Sequence, residues 1–187
     1  MANRKVIYEA GFEDYLRTVG VPYVAVDEAK KAILAGVQLK SFDFVVYSST
    51  GPNLLVDVKG RRFAACSGRG GPAASPAGST DREVWRPRGG RLENWATRDD
   101  LDSLARWQEV FGSGFAALLV FCYHVIRPEA ASRFEVVHLF RGDYFGLVGV
   151  YRDAYAGACR RRSLAWDTVS VPTAEFGKMI RPINSFL

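Results

Sequence analysis

Two short apolar runs joined by a polar turn constrain this chain more than anything else in it. Ser41-Phe42-Asp43-Phe44-Val45-Val46-Tyr47 and Leu54-Leu55-Val56-Asp57-Val58-Lys59-Gly60 are dominated by β-branched, aromatic and aliphatic residues. Between them, Ser48-Ser49-Thr50-Gly51-Pro52-Asn53 is turn chemistry. The pattern predicts a hairpin that is apolar on both faces and therefore central in a sheet. Yet the strands carry Asp43, Asp57 and Lys59, and a charge inside an apolar strand is costly unless it is paired or bound to a metal. Side chains two apart on a strand share a face, so Asp57 and Lys59 point the same way. Asp43, on the neighbouring strand, faces them if the register permits.

Two carboxylates converging beside a lysine suit a hard, oxygen-seeking cation such as Mg²⁺. The lysine can then orient a water or stabilise charge that develops on a phosphate. Asp43, thirteen intervening residues and then Asp57-Val58-Lys59 resemble the signature of the PD-(D/E)XK nuclease superfamily. Phe42 rather than proline precedes Asp43, a departure from the family's name at a tolerant position. The resemblance implies an α/β, restriction-endonuclease-like fold with an αβββαβ core, a mixed central sheet and, here, extra C-terminal strands. It also implies hydrolysis of phosphodiester bonds with Mg²⁺ or Mn²⁺, DNA being the first substrate to consider. Asp43 and Asp57 would hold the metal, the Val58 carbonyl would complete its coordination, and Lys59 would position the attacking water. The first helix of such folds often adds an acid, for which Glu9 is the candidate and Glu13 the reserve. Three other readings stand beside this one. Asp57 and Lys59 can be a structural ion pair, the fold can be a catalytically silent nucleic-acid-binding or assembly module, or the chain can be an unrelated α/β protein.

In chain order, Arg4 to Val19 predicts an amphipathic helix with Tyr8, Phe12, Tyr15, Leu16 and Val19 on one stripe and Gly20 as its stop. Val21 to Val26 predicts a short strand, and Asp27 an N-cap for a helix from Glu28 to Leu34, closed by Gly36. After the hairpin, fourteen of the seventeen residues from Ala64 to Thr80 are Gly, Ala, Ser or Pro, which predicts a mobile loop. Basic residues interleaved with aromatics follow: Arg82, Trp85, Arg86, Arg88, Arg91, Trp95 and Arg98. With Arg61 and Arg62 at the end of the hairpin, Arg82, Arg86, Arg88 and Arg91 are candidates for nucleic-acid contact, and residues 64–94 form an insertion in a single domain.

Thr97 and Asp100 predict a capping box opening a helix that runs to Phe111, with Leu101, Leu104, Ala105 and Phe111 facing inward. Gln108 falls on that stripe and therefore needs a partner; the resemblance makes it a candidate site residue, and a structural glutamine is the alternative. Trp107 reads as core. Phe115 to Tyr123 is the continuous apolar run of a strand buried on both faces. Strands are also predicted near 134–140, 144–151 and 166–171, with a closing helix over 173–180. Arg160-Arg161-Arg162 is either a phosphate clamp or a solvated turn. His124 and His138 match no ligand spacing.

Composition narrows the partners. The net charge of +5 suits a polyanion. Cys66, Cys122 and Cys159 are odd in number and lack C-x-x-C spacing, against a disulfide framework or a zinc site. There is no phosphate-binding glycine loop and no nucleophile elbow. No apolar run reaches membrane-spanning length, so a cytoplasmic protein without a membrane partner is expected. Cutting both strands of a duplex would call for a homodimer.

Overall fold

A computed structural model describes residues 4–27, 32–34, 37–64 and 91–187. It is an α/β structure built on a curled mixed sheet. The elements run α1 (Arg4–Val19), β1 (Tyr23–Ala25), β2 (Ala32–Leu34), β3 (Val37–Leu39), β4 (Phe44–Val46), β5 (Asn53–Phe63), β6 (Ala96–Thr97) and α2 (Arg98–Phe111). They continue with β7 (Phe115–Val125), a 3₁₀ turn (Pro128–Arg133), β8 (Val137–Phe140), β9 (Asp143–Tyr151), α3 (Arg152–Ala158) and β10 (Arg160–Ser163). The chain closes with β11 (Thr168–Ser170), α4 (Thr173–Met179), β12 (Arg181–Pro182) and a last 3₁₀ turn (Ile183–Phe186).

The predicted hairpin lies at the sheet's centre. Strand order is β1-β4-β5-β7-β9-β12, with β8 also on β9. β5 runs parallel to β7 along its whole length, from Asn53↔Phe115 to Phe63↔Val125, while the other pairings in this sheet are antiparallel. A parallel pair needs a crossover, and α2 supplies its helical part. Alternation along β5 divides the core. Leu54, Val56 and Val58 pack with Tyr8, Phe12, Tyr15 and Leu16 of α1. Leu55 and Phe63 face the other way, onto Leu101 and Leu104 of α2, Tyr155 of α3 and Phe176 of α4.

α1 ends as its sequence predicts. Gly20 adopts φ 74°, its N–H donates to Arg17 O and the Val21 N–H to Leu16 O, a Schellman closure that favours glycine. Val19, expected on the buried stripe, is 46% exposed, at the helix end where Arg17 to Gly20 are all exposed. The helix predicted over 28–34 is corrected at Ala32–Leu34, which is a strand paired antiparallel with Val37–Leu39, while 28–31 lie outside the described residues. Two apolar triplets separated only by Ala35-Gly36 match hairpin spacing, and the helical reading rested on the Asp27 cap and the Gly36 stop. The inward stripe expected of α2 is shorter than predicted: Leu101 and Leu104 are buried, whereas Phe111 is 38% exposed. α3 was not anticipated in the sequence. The predicted loop beyond Ala64 and the basic residues Arg82, Arg86 and Arg88 lie outside the described residues. No described helix is long and apolar enough to cross a membrane.

α1 and β5 touch most closely at Gly60. A Cβ added there would sit 2.1–2.6 Å from the Tyr8 ring, so even one methyl must push the helix or the ring away. Gly60→Ala is therefore expected to cost about 1–3 kcal/mol, the range for overpacking a filled site. A chemical denaturation midpoint measured for this variant and for the exposed-site control Gly51→Ala would check it, with the loss confined to Gly60.

Candidate functional site

β4 is short and β5 long. The pairing of the two ends at Phe44↔Val56, so beyond that point the β4-facing edge of β5 opens into a cavity of about 440 Å³. Lys40, Val58, Lys59, Gly60, Arg61 and Arg62 line it, together with Tyr8 of α1, Glu93, Trp95, Thr97 and Asp100. The site thus lies where two strands part, between α1 on one face of the sheet and the N-terminus of α2 on the other.

Continuing the β4–β5 register by one residue sets Asp43 against Asp57. The Val58 N–H donates to Asp43 Oδ2 at 2.5 Å, so the carboxylate turns back onto the strand carrying Asp57 and Lys59. Lys59 Nζ lies 2.6 Å from Asp57 Oδ2 and 2.8 Å from Asp100 Oδ2. Asp100 also pairs with Lys40 Nζ. All three carboxylates are buried, at 4–8% exposure. Lys40 is tied to α2 through its backbone as well, its N–H donating to Ser103 Oγ at 3.2 Å and its carbonyl accepting from Trp107 Nε1 at 2.9 Å.

These neighbours set the charge states. Burial works against the Lys59 ammonium, but Asp57 and Asp100 outweigh it and raise its pKa above the ordinary lysine value. Burial likewise works against the Asp100 carboxylate, and Lys59 with Lys40 reverses that, holding its pKa below the usual carboxylate range. Asp57 goes the other way. Its burial, with the nearby Asp100 charge, raises its pKa in spite of Lys59. One lysine therefore bridges two acids of opposite shift, an arrangement common where acids and bases are tuned.

The sequence marks Asp100 only as a helix-capping residue and does not single out Lys40. Asp100 is the N3 residue of the capping box, its side chain accepting from Thr97 N–H at 2.9 Å and its N–H donating to Thr97 Oγ1 at 3.1 Å. That role explains the residue locally and hides its second one. The only signal available was that a lysine buried with one aspartate would still need another partner.

Arg61 follows on the same face of β5. It is 7% exposed, its guanidinium carbon stacks 3.8 Å from the Trp95 ring centre, and it donates to Gly60 O and to Trp95 O. Tyr123, Tyr155 and Arg61 donate in turn to the consecutive carbonyls of Glu93, Asn94 and Trp95. The strap at 91–95 is thereby fixed across the cavity. Arg62 is exposed at the rim, and Arg91 is exposed on the strap beside a smaller cleft.

The remaining candidates are placed elsewhere. Glu9 is half-buried on α1, next to Tyr8, on the helix covering the opposite face of the sheet from Lys59. Glu13 is held by Arg17 and the Tyr23 hydroxyl. Gln108 Oε1 accepts from the Ala117 N–H at 2.6 Å, level with Leu55 and four residues along β5 from Lys59. His138 pairs with Asp14 at 2.8 Å and His124 with Asp143 at 3.1 Å. Among the described residues no three His, Cys, Asp or Glu side chains converge to cage an ion by themselves. The donors at hand, two carboxylates and a main-chain carbonyl, are all hard oxygens. Mg²⁺ commonly takes only one or two carboxylates and completes its shell with water and substrate phosphate, so the set fits that ion and not zinc.

Comparison with protein-family models, with curated proteins and with solved structures returns no match.

The Asp100 clasp has a pH signature. A folded pKa below the unfolded value near 3.9 means stabilisation that is present above that value and lost as pH falls through the folded one. Asp100→Asn leaves Lys40 and Lys59 under-compensated and should cost on the order of 3 kcal/mol at neutral pH. Denaturant titrations of both proteins from pH 7 to pH 2 should show that deficit narrowing below about pH 4.

Proposed function

We propose that this chain is a Mg²⁺- or Mn²⁺-dependent phosphodiesterase acting on nucleic acid, in the first place DNA, on a PD-(D/E)XK-type core. The observation that carries this reading is the clasped Lys59, an ammonium held between Asp57 and Asp100 on the wall of an open cavity, with Arg61 and Arg62 alongside. Cavities lined by several cations beside buried acids suit a phosphate whose charge grows during reaction. Asp43 and Asp57, with the Val58 carbonyl, would hold the metal, which when bound supplies Lewis-acid charge to a phosphoryl oxygen.

The protein's own groups do the rest. Lys59 stays protonated across the working pH range, so it acts as a fixed positive charge and hydrogen-bond donor rather than as a base. Held by two carboxylates, its ammonium cannot swing freely, and its remaining donor capacity is directed at the cavity. It can orient a water there or take a phosphate oxygen. Arg62 at the rim and Arg61 in the wall would hold the phosphodiester backbone on either side. Asp100 keeps Lys59 in place and is a positioning residue.

A second reading has its own support. Lys59 and Asp57 satisfy each other, and a closed charge cluster also serves a scaffold that binds nucleic acid without cutting it. Chemistry separates the two. Lys59→Ala should bind a labelled DNA within a few-fold of wild type yet cleave it on the order of 10²-fold more slowly or worse in Mg²⁺. Calorimetric titration with Mn²⁺ should show binding that Asp57→Ala abolishes. Wild-type protein that binds the DNA without cutting it, with Mn²⁺ binding indifferent to Asp57→Ala, would leave only the silent scaffold, and equal cleavage by Lys59→Ala would remove Lys59 from the chemistry.

A further inference from the structure

β10 and β11 form a hairpin whose tip, Leu164-Ala165-Trp166-Asp167, carries the most exposed of the large apolar side chains described. Leu164 is 78% and Trp166 79% exposed. The hairpin is fixed beside the cavity. β11 pairs with β6 through Thr168↔Thr97 and Val169↔Ala96, and the Arg98 N–H, at the first residue of α2, donates to Asp167 O at 3.0 Å. Thr97 itself lines the cavity.

The strand leading to that tip is cationic. Arg160, Arg161 and Arg162 are all exposed on β10, the edge strand of a three-stranded sheet. Arg160 meets Glu175 at 3.3 Å, whereas Arg161 and Arg162 have no carboxylate partner among the described residues. Arginines on an edge strand can simply block sheet-to-sheet pairing. That accounts for the charge and leaves the tip unexplained, since an exposed Leu and Trp that meet nothing among the described residues invite association.

Arg162 supplies the link to the cavity. Its guanidinium lies 5.6 Å from the Trp95 ring centre, and the same indole carries Arg61 at 3.8 Å. Two cations share one aromatic ring, and burial lowers the Arg61 pKa, with the Arg162 charge a smaller contribution in the same direction and the Glu93 charge opposing it. Among the described residues, the buried Arg61 Nε has no hydrogen-bond partner. Like charges gathered this closely, one of them sunk in the wall of a cavity, are relieved by an anion. A line of cations from the cavity wall to the hairpin is relieved by a polyanion.

We propose that the β10–β11 hairpin docks a single-stranded segment of nucleic acid, with Arg161 and Arg162 taking its phosphates and Trp166, flanked by Leu164, stacking on an unpaired base outside the cavity. Stacking needs a base whose face is free, which a paired duplex does not offer along its length, and an aromatic platform beside a basic track is the usual solution for single strands. The inference rests on the nucleic-acid part of the function proposed above and not on its hydrolytic part.

The test uses the full chain in excess EDTA, so that no metal-dependent cleavage intervenes. Fluorescence anisotropy would follow a labelled oligothymidylate of about 12 nucleotides, within the span of such sites, and a blunt duplex of equal length. Trp166→Ala, a change at an exposed position, should leave the melting temperature unaltered. It should weaken single-strand binding by about 5- to 100-fold, the loss of one stacked base, and leave duplex binding as it was. Arg161→Gln should reduce the magnitude of the slope of log K against log salt by about 0.7. Single-strand affinity unmoved by Trp166→Ala would overturn the proposal, as would equal losses on strand and duplex. So would a wild-type protein that ignores both oligonucleotides, or one that binds only vesicles rich in phosphatidylserine. If Trp166-dependent binding is found in a protein that never cleaves, the hydrolytic reading falls and the docking arm stands. Cleavage with binding indifferent to Trp166 gives the reverse.

Discussion

A lysine ammonium buried between two carboxylates is the interaction on which this structure turns. Taking ions out of water costs several kcal/mol apiece, and mutual attraction repays it only when geometry is good and every remaining polar atom is matched. Lys59 meets those terms because two separate elements converge on it. Asp57 comes from its own strand, and Asp100 comes from the first turn of α2, delivered by a capping box that fixes where the helix begins. The parallel pairing of β5 with β7 then fixes where α2 must return. Helix start, crossover and ion cluster are mutually dependent, so displacing any one of them leaves a buried charge without its partner.

The same constraint opens the site. If β4 had matched β5 in length, the backbone from Val58 to Arg62 would be closed off by a neighbouring strand. Instead β4 stops opposite Val56, the strand edge faces a cavity, and the strap at 91–95 is fastened over it by Tyr123, Tyr155 and Arg61. Cations then outnumber acids along the cavity lining: Lys40, Lys59, Arg61 and Arg62 against Glu93 and Asp100. With Arg162 also near the Trp95 ring, positive charge continues out to an exposed hairpin.

Much of the centre was legible in the sequence because strand periodicity is simple. Alternation put Asp57 and Lys59 on one face, and the short turn after Tyr47 implied an antiparallel partner bringing Asp43 near them. Thr97 and Asp100 announced the start of α2 through local hydrogen bonding alone. What alternation could not convey was the far side of each contact. Asp100 and Lys40 are separated by sixty positions in the chain, and only the docking of α2 makes them neighbours of Lys59. Gln108 was recognisable as a polar residue on an apolar stripe, but not that the Ala117 N–H would be its partner. At Ala32–Leu34, inside the helix predicted over 28–34, hairpin spacing outweighs the cap and stop signals, and the residues pair with Val37–Leu39 instead.

The central claim is that the opened edge of β5 is a metal-dependent reaction centre organised around Lys59. Anomalous diffraction from crystals soaked in Mn²⁺ addresses it most directly, because it locates the ion without relying on turnover. The account predicts one strong peak coordinated by Asp43 and Asp57, beside the Val58 carbonyl, in the wild-type protein and none in Asp57→Ala crystals treated alike. A wild-type crystal with manganese ordered elsewhere and Lys59 still closed on Asp57 and Asp100, with no peak at the β4–β5 fork, would contradict it.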